Sequence, residues 1–363
     1  MKKSDLKSVV NLTEWLTTVT KQDIWSDWRW QLRNSFTVDD LLKIGLSSDK
    51  RLLEVATRYP VRVTPYYLAL THREWHDKDG LVPHWKDYAT VAQWLPSIDE
   101  LQSASNRHLK DDPFDEMGCS PVPGVVHRFP DRIMVTLSNV CSVYCRHCTR
   151  KNMLQSIPTI QSKEELLRAV TFVRSQPQIR EVLLSGGDPF MLNDQNLLRA
   201  VRAFADLQQI DAVRIGTRIP VTLPMRVTED LAHALGAFKK IWINTHFNHV
   251  SELAPEATAA CARLVDAGIP LSNQTVLLKG INDTLSEMRL LCCGLQRYRI
   301  RPYYVFICDP VKGTEHFHTS LNDALALEKE LASSVGGLAM PRFVADVADA
   351  DAKVAITAIA SNN

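Results

Sequence analysis

The chain has 363 residues, 45% of them hydrophobic and 23% charged, with a formal net charge of +1. That is ample apolar material for a full globular core, and the near-neutral, mixed charge argues against the clustered positive surface that nucleic acid or an anionic membrane demands. The amino terminus opens with two lysines but no sustained apolar stretch follows, and no later run has the length a bilayer needs, so the expected setting is the cytoplasm and the expected partners are small molecules.

In chain order, the first part is helical and rich in tryptophan. "SDWRWQLRNSF", "TVDDLLKIGL" and "SDKRLLEVATRYP" have apolar residues at helical spacing, and Pro60, Pro65 and Pro83 break the run. "DDPFDEMGCSPVPG" reads as an irregular connection. Beyond it, strand-like runs ("RIMVTLSNV", "EVLLSGG", "AVRIGTR", "KIWINTHF", "LSNQTVLLKG", "RPYYVFICD") alternate with helical ones ("SKEELLRAVTFVRSQ", "NDQNLLRAVRAFADL", "TEDLAHALGAFKK", "APEATAACARLVDAG", "DTLSEMRLLCCGLQRY"). Such alternation implies consecutive βα units around a parallel sheet. The predicted fold is α/β: an open, partial (βα)6 barrel, because eight units would need more chain. Residues 1–115 form the helical extension, 116–335 the partial barrel and 336–363 a short C-terminal segment. Reactive groups in such sheets gather where strands end at their carboxyl side.

Directly after the first predicted barrel strand, Cys141, Cys145 and Cys148 are spaced C-x3-C-x2-C. Eight cysteines are few for a disulfide scaffold of this length, so a tight cluster suggests metal. The spacing differs from the paired C-x2-C of common zinc ribbons. Three thiolates on one loop can hold three corners of a cubane iron–sulfur cluster and leave the fourth iron for another ligand; a zinc knuckle is the competing reading. The arrangement resembles the radical S-adenosylmethionine superfamily, in which the open iron is chelated by S-adenosylmethionine. The second strand ends in "LLSGGDPF", where Ser185, Gly186, Gly187 and Asp188 are the expected partner motif, the glycines allowing close backbone approach to the methionine end.

The wording around these motifs is more specific. "HRFPDRIMVTLSNVCSVYCRHCTRK", "SGGDPF", "RIGTRIPVTLPMRVT", "INTHFNH", "NQTVLLKGIND", "RPYYVFICD" and the N-terminal "WSDWRWQLRN" together resemble the lysine 2,3-aminomutase family across nearly the whole chain. The resemblance implies an isomerase that uses a [4Fe-4S] cluster, S-adenosylmethionine and pyridoxal 5'-phosphate to move an α-amino group to the β-carbon. It also implies an external electron donor such as flavodoxin or ferredoxin, and it leaves a homo-oligomer open.

Carried over position by position, the resemblance makes Lys353 the Schiff-base lysine and Arg128 and Arg132 the phosphate-gripping arginines; guanidinium forks suit a dianion. Arg150 takes the place of the arginine that pairs with the substrate carboxylate. Asp309 and Asp346 take the places that read the remote end of the substrate. Two converging, partly desolvated carboxylates call for a cation between them, so the expected substrate is basic: L-lysine first, arginine second. His246 and Gln274 match positions lining the S-adenosylmethionine pocket, although a histidine there also reads as a satisfied core group. Cys119, Cys261, Cys292, Cys293 and Cys308 lack ligand spacing.

Two departures stand out. The family has a proline and a run of glycines before its lysine, where this chain has "VADADAK", including Ala348, Asp349, Ala350 and Asp351, so that loop is expected to follow another path. Relatives continue into a tail with zinc-ligating cysteines and carry a further cysteine after an Asn-Asp pair. Here Thr284 stands in that place, and loss of the structural zinc site is expected. Two further readings are a radical S-adenosylmethionine enzyme that has abandoned pyridoxal phosphate and a non-enzymatic iron–sulfur sensor.

Overall fold

The computed structural model describes residues 12–44, 49–76, 88–105, 109–348 and 350–361; Pro83 and Asp349 lie outside them. Nine strands form one sheet in chain order: β1 (Val125–Phe129), β2 (Arg132–Ser138), β3 (Glu181–Gly186), β4 (Ala212–Gly216), β5 (Ile241–Thr245), β6 (Leu271–Leu277), β7 (Arg301–Ile307), β8 (Arg342–Ala345) and β9 (Val354–Ala355). β2 through β8 run parallel. β1 and β9 pair antiparallel at the two edges. Among the described residues the first and last strands do not pair, so the barrel is open.

The six predicted strands are all present, as β2 to β7, and the sheet extends beyond them. β8 is only four residues long and β1 carries His127 and Arg128, so neither shows a strong apolar alternation. A sixth barrel helix, Leu321–Ala332, connects β7 to β8. The predicted helices after β2 to β6 appear as Lys163–Arg174, Asp194–Ala205, Glu229–Gly236, Pro255–Asp266 and Leu285–Arg297. Their starts are chemically marked: Ser162 and Glu165 form a capping box, and Asn193, Thr228 and Thr284 each accept a backbone N–H at the first turn. Thr284 is thus a helix cap.

The strands have two distinct faces. Val182, Leu184, Val213 and Ile215 are wholly buried in the apolar cluster shared with the helices. The alternate positions, Glu181, Leu183, Ser185 and Arg214, are half-buried and line the lumen.

The N-terminal helices do not stand apart from this core. Trp15 stacks on Trp30 with ring centroids 6.1 Å apart and meets Phe36 edge-on, and these aromatics belong to the same apolar cluster as the barrel. Phe36 is completely buried, which contributes about 1.5–3 kcal/mol. Pro65, expected to break a helix, instead begins the helix Pro65–His76, where its missing N–H costs nothing. Polar stitches lead from here to the strand-end loops: Thr64 Oγ1 donates to the Thr222 carbonyl at 2.7 Å, and the Arg146 amide donates to the Gln93 carbonyl at 2.8 Å. Among the described residues no helix is long and apolar enough to cross a membrane.

Candidate active site

Cys141, Cys145 and Cys148 lie in the loop leaving β2, half-buried and without disulfides. Burial, and then the charges of Asp188 and the neighbouring thiols, push the Cys141 thiol well above its ordinary range. Burial and Cys145 likewise push Cys148 up to about 11. Three crowded thiols of this kind become thiolates when a cation binds them. Three thiolates on one loop, each on its own iron, are the donor set that a cubane cluster asks for.

The loop is held from both sides. On the inside, Gly187 packs against the backbone of Asn139 and Val140: a Cβ there would stand 2.7 Å from both the Val140 nitrogen and oxygen. The Gly187 amide donates to the Ser138 carbonyl at 2.5 Å and the Asp188 amide to the Val140 carbonyl at 3.0 Å. Gly187 is therefore needed first for contact with the cysteine loop, and Gly186 for its positive φ against the end of β2. Asp188 is buried and fully engaged, accepting from Thr217 Oγ1 at 2.7 Å and from the Phe190 and Arg218 amides at 3.0 and 2.8 Å. It ties the end of β3 to the end of β4. On the outside, Glu100 accepts from Arg146 and Lys151, with Nη2 at 2.5 Å and Nζ at 2.6 Å. Burial raises the Glu100 carboxyl, but these two cations more than offset it, and it rests below its usual range.

Arg218, in the loop after β4, donates Nη1 to Cys145 Sγ at 2.7 Å and Nη2 to Glu252 at 2.8 Å. Its Nε donates to the carbonyl of His246 at 3.2 Å. Burial, and secondarily Arg218, push the His246 imidazole down to about 3, so the ring is neutral; it meets Asn248 Oδ1 at 3.0 Å and stands 5.4 Å from the His147 ring. Gln274 is half-buried in β6, in register with Tyr304 of β7.

A second group of charges lies by the open edges of the barrel. The antiparallel pairing of Ala345 with Val354 sets Asp346 beside Lys353, and the two form an ion pair. Asp346 also accepts from Arg128 Nη2, on β1, at 3.2 Å. Side chains thus bridge the gap that the backbone leaves. Burial pushes the Lys353 amine down to about 8; Asp309 opposes this, while Arg128, Arg214 and Arg132 reinforce it. Among the described residues of the crossing, Ala348, Ala350 and Asp351 have no positive φ, so the path there does not require glycine. Arg132, at the start of β2, pairs with Asp131 at 2.8 Å.

Arg150 is held in a forked pair by Glu116, with Nε at 2.8 Å and Nη2 at 2.7 Å. Asp309, beyond β7, accepts from Thr149 Oγ1 at 2.5 Å. Burial raises its carboxyl, while Thr149, Lys353 and Arg150 act to lower it. Arg150, Asp309 and Lys353 therefore surround one region, and Asp346 reaches the same amine. Glu116, Glu100 and Thr149 were not singled out from the sequence; Glu116 is an acid in an irregular segment, with no spacing signal. Arg218 sits at a strand end, the one position that could have flagged it.

Residues 135–291 match the family model for the Radical SAM superfamily. The chain is 38% identical over 326 residues to L-lysine 2,3-aminomutase of Clostridium subterminale, covering 89% of this chain and 76% of that one. It is 37% identical to L-lysine 2,3-aminomutase of Fusobacterium nucleatum, covering 94% and 78%. The chain belongs to the lysine 2,3-aminomutase family. That family includes more than one substrate: glutamate 2,3-aminomutase of Clostridioides difficile is 34% identical, over 94% of this chain and 77% of that one. As a radical S-adenosylmethionine aminomutase, this lysine 2,3-aminomutase family member is an isomerase, and its superfamily implies a [4Fe-4S] cluster and S-adenosylmethionine.

Proposed function

We propose that this protein is a pyridoxal 5'-phosphate-dependent L-lysine 2,3-aminomutase. The observation that carries the choice of substrate is the convergence of Asp309 and Asp346 on one ammonium, that of Lys353. A pocket in which two carboxylates face the half-buried Lys353 amine, Asp346 being shared with Arg128, favours a substrate with a positively charged remote end and penalises one with a carboxylate there.

Cys141, Cys145 and Cys148 would hold the cluster, with Arg218 donating to the Cys145 sulfur. Ser185, Gly186, Gly187, Asp188, His246 and Gln274 would form the S-adenosylmethionine side, Gly187 and Asp188 by fixing the cysteine loop. Lys353, its amine biased toward the neutral form, would carry pyridoxal phosphate, with Arg128 and Arg132 at the phosphate. When bound, these groups would supply one-electron chemistry and an electron-delocalising ring for the migrating nitrogen. Arg150, fixed by Glu116, binds the substrate carboxylate and so orients the α- and β-carbons. Asp309, oriented by Thr149, and Asp346 would hold the remote ammonium.

The test is anaerobic incubation of the reconstituted protein, with S-adenosylmethionine and dithionite, with lysine, arginine, ornithine and glutamate separately, followed by chromatography for β-amino isomers. Conversion of lysine to β-lysine, dependent on Lys353, is the expected result. Conversion of glutamate alone would refute the role of the aspartate pair; conversion of arginine alone would change the substrate but keep that role; turnover undiminished in Lys353→Ala would remove pyridoxal phosphate from the chemistry.

A further inference from the structure

Near the amino-terminal ends of β2, β3 and β4, three charges lie in a row across neighbouring strands. Arg132 of β2 is in register with Glu181 of β3, and Leu183 with Arg214 of β4. Alternate residues of a strand share a face, so Arg132, Glu181 and Arg214 all point to the lumen. Arg214 donates Nη2 to Glu181 Oε1 at 2.5 Å, and its side chain is only 19% exposed. Its Nε is buried with no hydrogen-bond partner among the described residues. Buried guanidinium donors are seldom left unmade, and one that is calls for an explanation such as a missing ligand. Within the row Arg214 pairs with Glu181, and Arg132 with the neighbouring Asp131. Arg214 and Arg132 both act on the Lys353 amine.

We infer that Arg214 is a third arginine of the phosphate seat, its Nε–H supplying a donor that no group among the described residues takes. The inference rests on the reading that Lys353 carries pyridoxal phosphate. The ligand chemistry is a phosphate monoester dianion, which a planar guanidinium engages through paired donors as no point charge can. Glu181 then acts as the counter-ion that holds the fork in place.

The test compares pyridoxal phosphate with pyridoxal, which lacks the phosphate, as ligands of the full chain. Binding is followed by the yellow absorbance that borohydride abolishes and that Lys353→Ala lacks. Arg214→Gln is expected to weaken pyridoxal phosphate on the order of ten- to a hundredfold, the worth of a charged hydrogen bond, while leaving pyridoxal unchanged. Arg214→Lys, which lacks the Nε donor, is expected to fall between, and Glu181→Gln to bind pyridoxal phosphate at least as well as the unaltered chain. An equal loss for both ligands, or none, in Arg214→Gln would overturn the inference. If that variant does not fold, an unaltered preference in Arg214→Lys overturns it instead. Absence of the Lys353-dependent absorbance in the unaltered chain defeats the cofactor reading itself, and this inference with it.

Discussion

Lys353 illustrates how a single side chain is prepared by its surroundings. An ordinary lysine is almost wholly protonated near neutral pH and reacts poorly with a carbonyl. Here burial and a ring of arginines lower its pKa to about 8, so a large share of the amine is neutral a little above neutrality. Because the folded value is depressed, the reactive fraction rises through pH about 8 instead of near 10.5, where an ordinary lysine titrates. The rate at which pyridoxal phosphate becomes borohydride-trappable, measured against pH, should therefore climb to half its maximum near that value; an onset at the pH of free lysine would mean a solvated amine. At the same scale, Arg150 entered the reading through the family resemblance, whereas its partner Glu116, 34 residues earlier, carried no signal at all. Sequence spacing reports local geometry, and this forked pair joins two segments that meet only in the fold.

At the scale of elements, the cysteine loop and the Gly-Gly turn form one unit. Gly187 has no room for a Cβ against Val140, whose amide and carbonyl would each be 2.7 Å away, and backbone does not yield as a flexible side chain does. Gly187→Ala is expected to push the loop from β2 out of place, so that iron and sulfide bound per chain after reconstitution fall severalfold while far-ultraviolet circular dichroism is retained. Full cluster loading in that variant would show that the loop tolerates the shift. The sequence reading gave the glycines a close approach to the methionine end of S-adenosylmethionine, and the contact of Gly187 with the cysteine loop was not visible in it. A glycine pair announces a close approach without saying what approaches. The β8–β9 pair was missed for a related reason: two strands of four and two residues carry too few alternations to register, yet their pairing is what sets Asp346 beside Lys353.

Across the whole molecule, the helical extension and the barrel share one apolar cluster and one buried ionic knot. Glu100, with its side chain completely buried, holds both Arg146 and Lys151 from the cysteine loop. Removing one partner of such a knot leaves uncompensated buried charge, so Glu100→Ala should lower stability by about 3–5 kcal/mol. Chemical denaturation would register this as a lower midpoint together with impaired cluster assembly; an unchanged midpoint would mean that the extension does not anchor the loop.

The amino-acid sequence alone determined the alternation of strands and helices, the ends at which chemistry gathers, and the spacing of the three cysteines, because these depend on neighbours a few residues apart. Tertiary structure alone decided how the open edges are joined, by Arg128 reaching Asp346 across 218 residues of chain, and which carboxylate occupies each buried arginine. Ion pairs of that kind form wherever folding brings opposite charges into a low-dielectric space, and no periodicity along the chain encodes their partners.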